Sequence, residues 1–361
     1  MNVDNFKLGL TAVLQITKES PVLLEVKNGR MIFASYNNFH NVIFETETDL
    51  EDFKVVFPEK VARQIPKQIK KTLSINQDGN TFSLVSDGSK MNVSTLSEDS
   101  MSLNGLVHHY QKDTIWEVDP ESFKDAFKRV QHSANDKLIG DVVLKGYHLN
   151  ISGGKAEVMA SNGASMSLSY FDVDKEEDNL FLLNQEFFNA VKLINGGSLN
   201  IGFNNKAITL INQTEEYTLR IISSLNNGKP LNYGDVLNNV LKPRTNKESS
   251  FGYFNTKEMK EALKKMEFFF DESVKNRIHL EFQQDRIVLS SNNLYGDSKN
   301  QVRLFDTNFF DAEEIYVSGV NLLSFLNSTS SENVEVSFVD KETPVLFSDS
   351  LGYEVITVFK V

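Results

Sequence analysis

Residues 24–35 read LEVKNGRMIFAS and residues 280–291 read LEFQQDRIVLSS, and the two stretches align without a gap. Each has an apolar run, a polar turn that ends in Arg30 or Arg286, a second apolar run and then small residues. Apolar runs on either side of a polar turn predict a β-hairpin. A third copy, LNISGGKAEVMAS, occupies residues 149–161, with one extra residue that we place at the turn. The same hairpin is therefore predicted three times.

The three hairpins are evenly spaced along the chain. Ala34, Ala160 and Ser290 occupy matching positions in this alignment, so the repeat length is close to one third of the 361 residues. A repeat of this length can bury a core of its own, unlike the short units of a solenoid. We predict three domains, at residues 1–114, 115–246 and 247–361.

Each hairpin copy is preceded and followed by a segment with helical periodicity. The six segments are residues 6–18, 58–71, 120–130, 184–194, 256–266 and 318–326. Pro66 lies inside the second segment and should shorten or kink that helix. The remaining sequence reads as strands joined by Gly and Asn turns. The predicted fold class is α+β, with three similar domains that each pack two helices on antiparallel sheet.

Composition excludes several classes of protein. The sequence has no Cys, which rules out disulfides, thiol nucleophiles and cysteine metal sites. It has no apolar run near the ~18 residues that span a bilayer, and its polar start is unlike a signal peptide, so we expect a cytoplasmic protein without membrane contact. Phosphate-loop, dinucleotide and hydrolase motifs are missing as well. His108 and His109 are adjacent, and neighbours on a strand point to opposite faces, which argues against a metal pair. We expect no catalytic residue, metal or cofactor.

Charge is distributed unequally between helices and the rest of the chain. The formal net charge is -12, yet the windows that contain the six predicted helices together carry +8, which leaves -20 on strands and loops; these windows are residues 5–18, 59–71, 120–132, 185–193, 257–267 and 318–327. Lys and Arg are good helix formers, so a solvated helix surface is one explanation. The other explanation is a basic helical surface that faces a polyanion, with an acidic exterior that discourages indiscriminate binding.

Four stretches of the last third match a known family: KEALK at 260–264, RIHLEF at 277–282, VLSSNN at 288–293 and the final strand at 353–361. Through them this part of the sequence resembles the sliding clamp of bacterial replicative DNA polymerase, its beta subunit, in a divergent form such as a phage carries. The middle third matches around residues 144–166, and the first third matches in outline. The resemblance covers the full length.

This resemblance implies a head-to-tail homodimer that closes a ring of six domains around double-stranded DNA, with helices lining the hole. Such a ring is a processivity factor without catalysis, and its attraction to DNA is independent of base sequence. The basic residues expected to face DNA are Lys7, Lys60, Arg63, Lys67, Lys124, Lys128 and Lys264. The alternative is a scaffold or structural protein that keeps the clamp fold without encircling DNA.

The family binds linear motifs of polymerase and clamp loader in a cleft between its second and third domains. The residues that match this cleft are Leu144, Ser161, Gly163, Met166, Leu231, Val236, Val355 and Thr357. Where the family has T-D-G-H-R-L this chain has SNGASM at 161–166, so Ala164 and Ser165 replace a His and an Arg. These departures predict a cleft with altered motif preference.

The resemblance also places the ring-closing interface between the first domain and the third domain of the partner. Matching positions are Met91 and Val93 on one side and Phe269 and Phe270 on the other. Three consecutive aromatic residues, 268–270, at a helix end cannot all face one core, so at least one ring is expected to meet a partner.

Overall fold

The computed structural model describes residues 2–78, 81–101, 115–134, 146–174, 178–226, 228, 233–234, 238, 249–309 and 313–359. The chain divides into two compact units. The first comprises Met1–Lys124, Asp172–Lys175 and Glu186–Asn226, and the second comprises Asp125–Phe171, Glu176–Gln185 and Asn227–Val361.

The first unit contains two antiparallel sheets. Its strands are β1 (Val22–Lys27), β2 (Arg30–Tyr36), β3 (His40–Glu47), β4 (Phe53–Phe57), β5 (Ser74–Asp78), β6 (Thr81–Ser86), β7 (Ser89–Ser94), β8 (Ile115–Val118), β13 (Ser198–Phe203), β14 (Ala207–Gln213) and β15 (Tyr217–Ser224). The larger sheet has the order β4-β1-β2-β3-β15-β14-β13-β8, and the smaller has the order β5-β6-β7. Its helices are α1 (Val3–Ile16), α2 (Glu59–Ala62), α3 (Ile65–Gln68) and α5 (Phe187–Val191).

The second unit contains one long antiparallel sheet. Its strands are β9 (Tyr147–Ser152), β10 (Lys155–Ser161), β11 (Ser165–Asp172), β12 (Asn179–Leu183), β16 (Ser250–Asn255), β17 (Arg277–Phe282), β18 (Arg286–Asn293), β19 (Gly296–Phe305), β20 (Glu313–Ser318), β21 (Asn333–Phe338), β22 (Val345–Asp349) and β23 (Gly352–Ile356). Their order is β12-β9-β10-β11-β23-β22-β21-β16-β19-β18-β17-β20. Helices α6 (Thr256–Met266) and α7 (Gly319–Ser328) belong to this unit, as do the residues of α4 (Pro120–Val130) from Asp125 onward.

One four-strand arrangement occurs three times. The orders β4-β1-β2-β3, β12-β9-β10-β11 and β20-β17-β18-β19 each place the fourth strand beside the first. This is the Greek-key order, and a helix precedes and follows each copy in the chain. The predicted α+β class and the threefold repetition are therefore confirmed, whereas the domain boundaries stay a prediction.

The turns of the first two hairpins correct one detail of the sequence alignment. Asn28 and Gly29 both have positive φ, at 53° and 75°, as a two-residue type I′ turn requires. Gly153 and Gly154 do the same, at 58° and 79°, so this turn also has two residues. The prediction of an extra residue at the second turn is wrong. Ala160 instead matches Ser35, and the core-facing positions of the two copies then coincide.

The helix predicted for residues 58–71 is divided into two single-turn helices. Pro66 occupies the first turn of α3, where its missing N–H is tolerated, and α2 ends before it. Helix α5 is also shorter than the predicted 184–194. Both departures leave short helices with few internal hydrogen bonds, which depend on packing for their stability.

Helix α1 lies directly on the first sheet. The Asn2 side chain accepts hydrogen bonds from the backbone N–H of Asp4 and Asn5, which caps the helix start. Its apolar face, including Phe6, is fully buried, and the ring of Phe6 packs edge-on against Phe33 at 5.1 Å. Gly9 allows this close approach.

Replacement of Gly9 by Ala should destabilise the protein. A Cβ atom there would lie 2.5 Å from ring carbons of Phe33 and Phe44. Overpacking costs about 1–3 kcal/mol, which exceeds the gain of about 1 kcal/mol in helix propensity. Urea unfolding should show a net loss, whereas Thr11→Ala on the exposed face should be neutral or slightly stabilising. An equally stable Gly9→Ala variant would contradict this packing.

Candidate functional site

An apolar cluster lies on one face of the sheet of the second unit, where β10, β11 and β23 run side by side. We call it the cleft cluster. Its residues are Met159, Met166, Leu168, Tyr233, Leu346 and Val355, with the partly buried Tyr353 packed against them. Met166 pairs with Val355 and Leu168 with Tyr353 across β11 and β23.

Five of the predicted cleft residues lie in and around this cluster. Ser161 donates a hydrogen bond from Oγ to the carbonyl of Ser165 at 2.9 Å and accepts one from the Gly163 N–H at 3.2 Å. Thr357 donates from N and from Oγ1 to the carbonyl of Ala164, at 3.0 and 2.9 Å. Met166 and Val355 are buried members of the cluster. Leu144, Leu231 and Val236 lie outside the described residues.

Sequence reasoning missed other members of the cleft cluster. Met159 and Leu346 alternate with core-facing neighbours on their strands, and this alternation was the available signal. The ring of Tyr233 packs edge-on against His148 at 4.7 Å, and burial raises the pKa of the Tyr233 hydroxyl. A wall of Met, aromatic and aliphatic side chains can adapt to the side chains of a bound peptide.

β11 and β23 cover a buried ionic cluster with the face opposite to the cleft cluster. The Arg129 guanidinium is fully buried, lies 3.1 Å from Asp349 and 3.8 Å from Glu354, and sits 4.2 Å from the centre of the Phe325 ring. His132 Nε2 lies 3.2 Å from Glu354 Oε1. Ser167 Oγ donates a hydrogen bond to the same carboxylate.

This environment keeps Glu354 ionised. Burial alone would raise its pKa, but the attraction of His132 and its hydrogen bond, followed by Arg129 and Ser167, hold the pKa below the ordinary 4.5. A carboxylate paired in this way stabilises the folded state only while it is charged.

Three equivalent loops connect the second and third strands of the Greek-key copies. Asn37, Asn162 and Asn293 each use the side-chain oxygen to accept a backbone N–H two residues later. In the first two copies the carbonyl of the residue before the third strand accepts a hydrogen bond from a neighbouring strand. Ser224 N–H donates to Phe39 at 2.8 Å and Thr357 N–H donates to Ala164 at 3.0 Å. Sequence reasoning did not single out these Asn residues.

The third strand of the third copy is paired differently from the third strands of the first two copies. β3 pairs with β15, and β11 pairs with β23. Within the described part of the chain, β19 pairs on its other side only at Leu304 and Phe305, with β16. Residues 296–303 of β19 and the outer side of β7 are therefore free strand edges among the described strands. The predicted interface residues Met91 and Val93 lie on β7, where Val93 is buried opposite Phe82.

The aromatic run after α6 divides between core and surface. Phe270 packs against the core, close to Gly319, and Phe269 is half-buried. Phe268 is 69% exposed and packs against Tyr295, with ring centres 6.0 Å apart. Leu294 and Tyr295, at the tip of the β18–β19 hairpin, are 97% and 81% exposed. These three residues form an apolar tip that adjoins the free edge of β19. The sequence predicted that at least one ring of 268–270 meets a partner, but it did not place Leu294 or Tyr295 in the interface.

The basic residues predicted in the first unit differ in availability. Lys60 and Lys67 are exposed on α2 and α3. Lys7 donates to the Lys70 carbonyl at 3.1 Å, Arg63 pairs with Glu59, and Lys124 lies 3.3 Å from Glu121. Of these five side chains, those of Lys60 and Lys67 are exposed and form no ion pair with a described residue.

In the second unit, Lys128 and Lys264 are exposed on α4 and α6. Partial burial and the neighbouring charge of Lys264 lower the pKa of Lys260 on the same helix face.

Among the described residues, no three His, Asp or Glu side chains are grouped as a metal site would need, and His108 and His109 lie outside that part of the chain. No described helix has the length and apolarity to cross a bilayer.

The fold matches solved structures of DNA polymerase sliding clamps along its whole length. The DNA polymerase III beta subunit of Pseudomonas aeruginosa superposes with a TM-score of 0.84 at 16% identity, covering 100% of this chain and 99% of that one. The beta subunit of Thermotoga maritima gives 0.82 at 15% identity, covering 100% and 98%. A Pseudomonas aeruginosa sliding clamp bound to griselimycin gives 0.85 at 16% identity, covering 100% and 98%.

Sequence comparison points the same way. The beta sliding clamp of Borreliella burgdorferi is 25% identical to this chain, and the match covers 88% of this chain and 84% of that protein. No protein-family model matches the sequence. The predicted resemblance to the beta sliding clamp is confirmed in fold and in sequence.

Glu354 should make folding stability depend on pH in acid. Its native pKa is lowered, so its contribution is complete above about pH 4.5 and is lost as the pH falls through the native value. Glu354→Gln should cost about 3 kcal/mol near neutral pH, since it leaves Arg129 poorly compensated. The difference from wild type should shrink in acid, as measured by urea unfolding across a pH series. The exposed Glu117→Gln is the control, and a pH-independent difference would contradict the assignment.

Proposed function

We propose that this chain is a DNA sliding clamp, a non-catalytic processivity factor that acts in the cytoplasm. Two copies close head to tail into a ring around duplex DNA. The ring tethers a replicative DNA polymerase and its clamp loader, whose linear motifs bind at the cleft cluster. The match in fold and sequence to beta sliding clamps supports this function.

The observation that carries the ring is the unequal pairing of the three third strands. β3 pairs with β15, and β11 pairs with β23. In both cases the partner is the last strand of a three-strand set that comes later in the chain. By the same rule β19 requires the last strand of a three-strand set, and β7 is the equivalent strand with a free side. Pairing β19 of one copy with β7 of another satisfies both edges. This contact is head-to-tail, and two of them close a dimer.

The apolar tip supports the same interface. Free strand edges invite pairing, and exposed clusters of aromatic and aliphatic side chains mark protein contacts. Phe268, Leu294 and Tyr295 adjoin the free side of β19, so a copy paired there would cover them. Phe269 is a further candidate, whereas Phe270 contributes mainly to the core of its own unit.

Attraction to DNA in this proposal is electrostatic and weak. The helices are basic and the rest of the chain is strongly acidic, which favours phosphate contact on helices alone. Lysine ammonium groups attract phosphates at any base sequence, so the ring can slide. Topological closure, and not tight contact, keeps the ring on DNA.

The dimer should depend on the apolar tip. Leu294→Ser with Tyr295→Ser should weaken the dimer at least about 30-fold, since central interface residues contribute about 2 kcal/mol or more. Folding should be unaffected because both side chains are exposed. Analytical ultracentrifugation measures the dissociation constant of the dimer. The control is Leu180→Ser, because Leu180 lies on β12 and is 45% exposed. An unchanged dimer would remove the tip from the interface.

The helix lysines should control DNA retention. Lys60→Glu, Lys67→Glu and Lys264→Glu together should reduce retention on circular DNA and flatten its dependence on salt. The control is Lys27→Glu, Lys206→Glu and Lys341→Glu, which changes the net charge equally at exposed positions off the helices. Pull-down of the circular DNA over a salt series measures the retention and its dependence on salt for both triple variants. Equal losses in the two triple variants would refute a helix-lined DNA surface.

A further inference from the structure

The two strand junctions inside the chain fill the same core-facing positions with different chemistry. His40 and Ser165 begin the equivalent strands β3 and β11. Two residues later, Val42 faces Ile221 in the first junction, whereas Ser167 faces Glu354 in the second. The next core-facing pair is Phe44 with Leu219 in the first junction, and Ser169 with Gly352 in the second. The fold therefore accepts apolar packing at these positions.

The second junction contains the buried ionic cluster instead. Arg129, Asp349 and Glu354 have fully buried side chains, and His132 and Ser133 cover the serines of β11. Ser133 Oγ lies 2.7 Å from Ser167 Oγ and 3.1 Å from Ser165 Oγ. Buried charges lose hydration, so replacing such a cluster by apolar side chains is often neutral or stabilising. Stability alone does not account for it.

The ionic cluster favours one alignment of β23 on β11 over the alignments that are shifted by one residue. Side chains alternate between the two faces of a strand, so a slip of one residue exchanges the faces. Such a slip would turn Glu354 towards the cleft cluster and Val355 towards Arg129. Apolar residues on both faces would tolerate that exchange, whereas a charge paired with Arg129 and His132 does not.

We propose that Arg129, His132, Asp349 and Glu354 form a register lock for the partner cleft. They are positioning residues: they touch no bound peptide, and they hold β23 so that Met166 and Val355 stand side by side on the cleft face. The effect on peptide binding rests on the proposed function, whereas the lock itself is a property of the pair β11 and β23.

The test replaces the lock with the chemistry of the first junction. The lock-free variant combines Arg129→Met, Asp349→Asn, Ser167→Val and Glu354→Ile. Asn at 349 keeps the side-chain oxygen that accepts the N–H groups of Leu351 and Gly352. We expect this variant to melt at the same temperature as wild type or higher. Its affinity for a fluorescent peptide with the C-terminal sequence of the replicative polymerase of the same genome should fall at least tenfold.

Strand alignment is measured separately, without any ligand. The chain has no Cys, so Leu168→Cys with Tyr353→Cys introduces a single pair at directly opposed positions. Under mild oxidation this pair should form a disulfide almost completely in the wild-type background and less completely in the lock-free background. Glu354→Gln, which keeps the side-chain shape without the charge, should give intermediate results in both assays.

The outcomes separate the lock from the cleft. Equal cross-linking in the two backgrounds, at equal stability, would overturn the lock whatever the peptide does. Unchanged peptide affinity in the lock-free variant would overturn its positioning role. If the wild-type protein does not bind the peptide, the proposed cleft fails, and the cross-linking result still decides whether the lock exists.

Discussion

Pairing of strands between neighbouring repeats is the constraint on which the rest of this structure depends. An unpaired strand edge exposes a row of backbone N–H and C=O groups, and a sheet protein must pair or protect it. The chain satisfies this requirement twice within itself, at β3 with β15 and at β11 with β23. In the proposed ring, a second copy supplies the third junction, at β19 with β7, and the assembly is therefore head-to-tail.

The same junctions carry the functional surfaces. The side of β11 and β23 that faces away from the core bears the cleft cluster, and the buried side bears the ionic cluster around Arg129. Strand alternation brings the two together, because adjacent residues such as Glu354 and Val355 point to opposite faces. In the proposed clamp, partner recognition and internal packing are therefore coupled through the alignment of β23 on β11.

Local features of the fold could be predicted from the sequence because their causes are local. Asn28-Gly29 specifies a tight turn, Pro66 interrupts a helix, and apolar periodicity marks α1 and α6. The shift of the second copy by one position could not be predicted, because Gly153-Gly154 permits more than one alignment. Arg129 and Asp349 are 220 residues apart, and no sequence pattern indicates that they meet. Leu294 and Tyr295 read as ordinary loop residues until their exposure beside a free strand edge is known.

Topological closure is the central claim, and one measurement tests it most directly. The protein is assembled on nicked circular DNA with its clamp loader and ATP, freed of unbound protein, and divided into two samples, one of which is cut with a restriction enzyme. A closed ring stays on the circle at moderate salt and slides off the linear ends, so gel filtration should find it with DNA only in the uncut sample. Equal retention on both forms would mean that the chain binds DNA by ordinary surface contact, or acts as a scaffold, and does not encircle it.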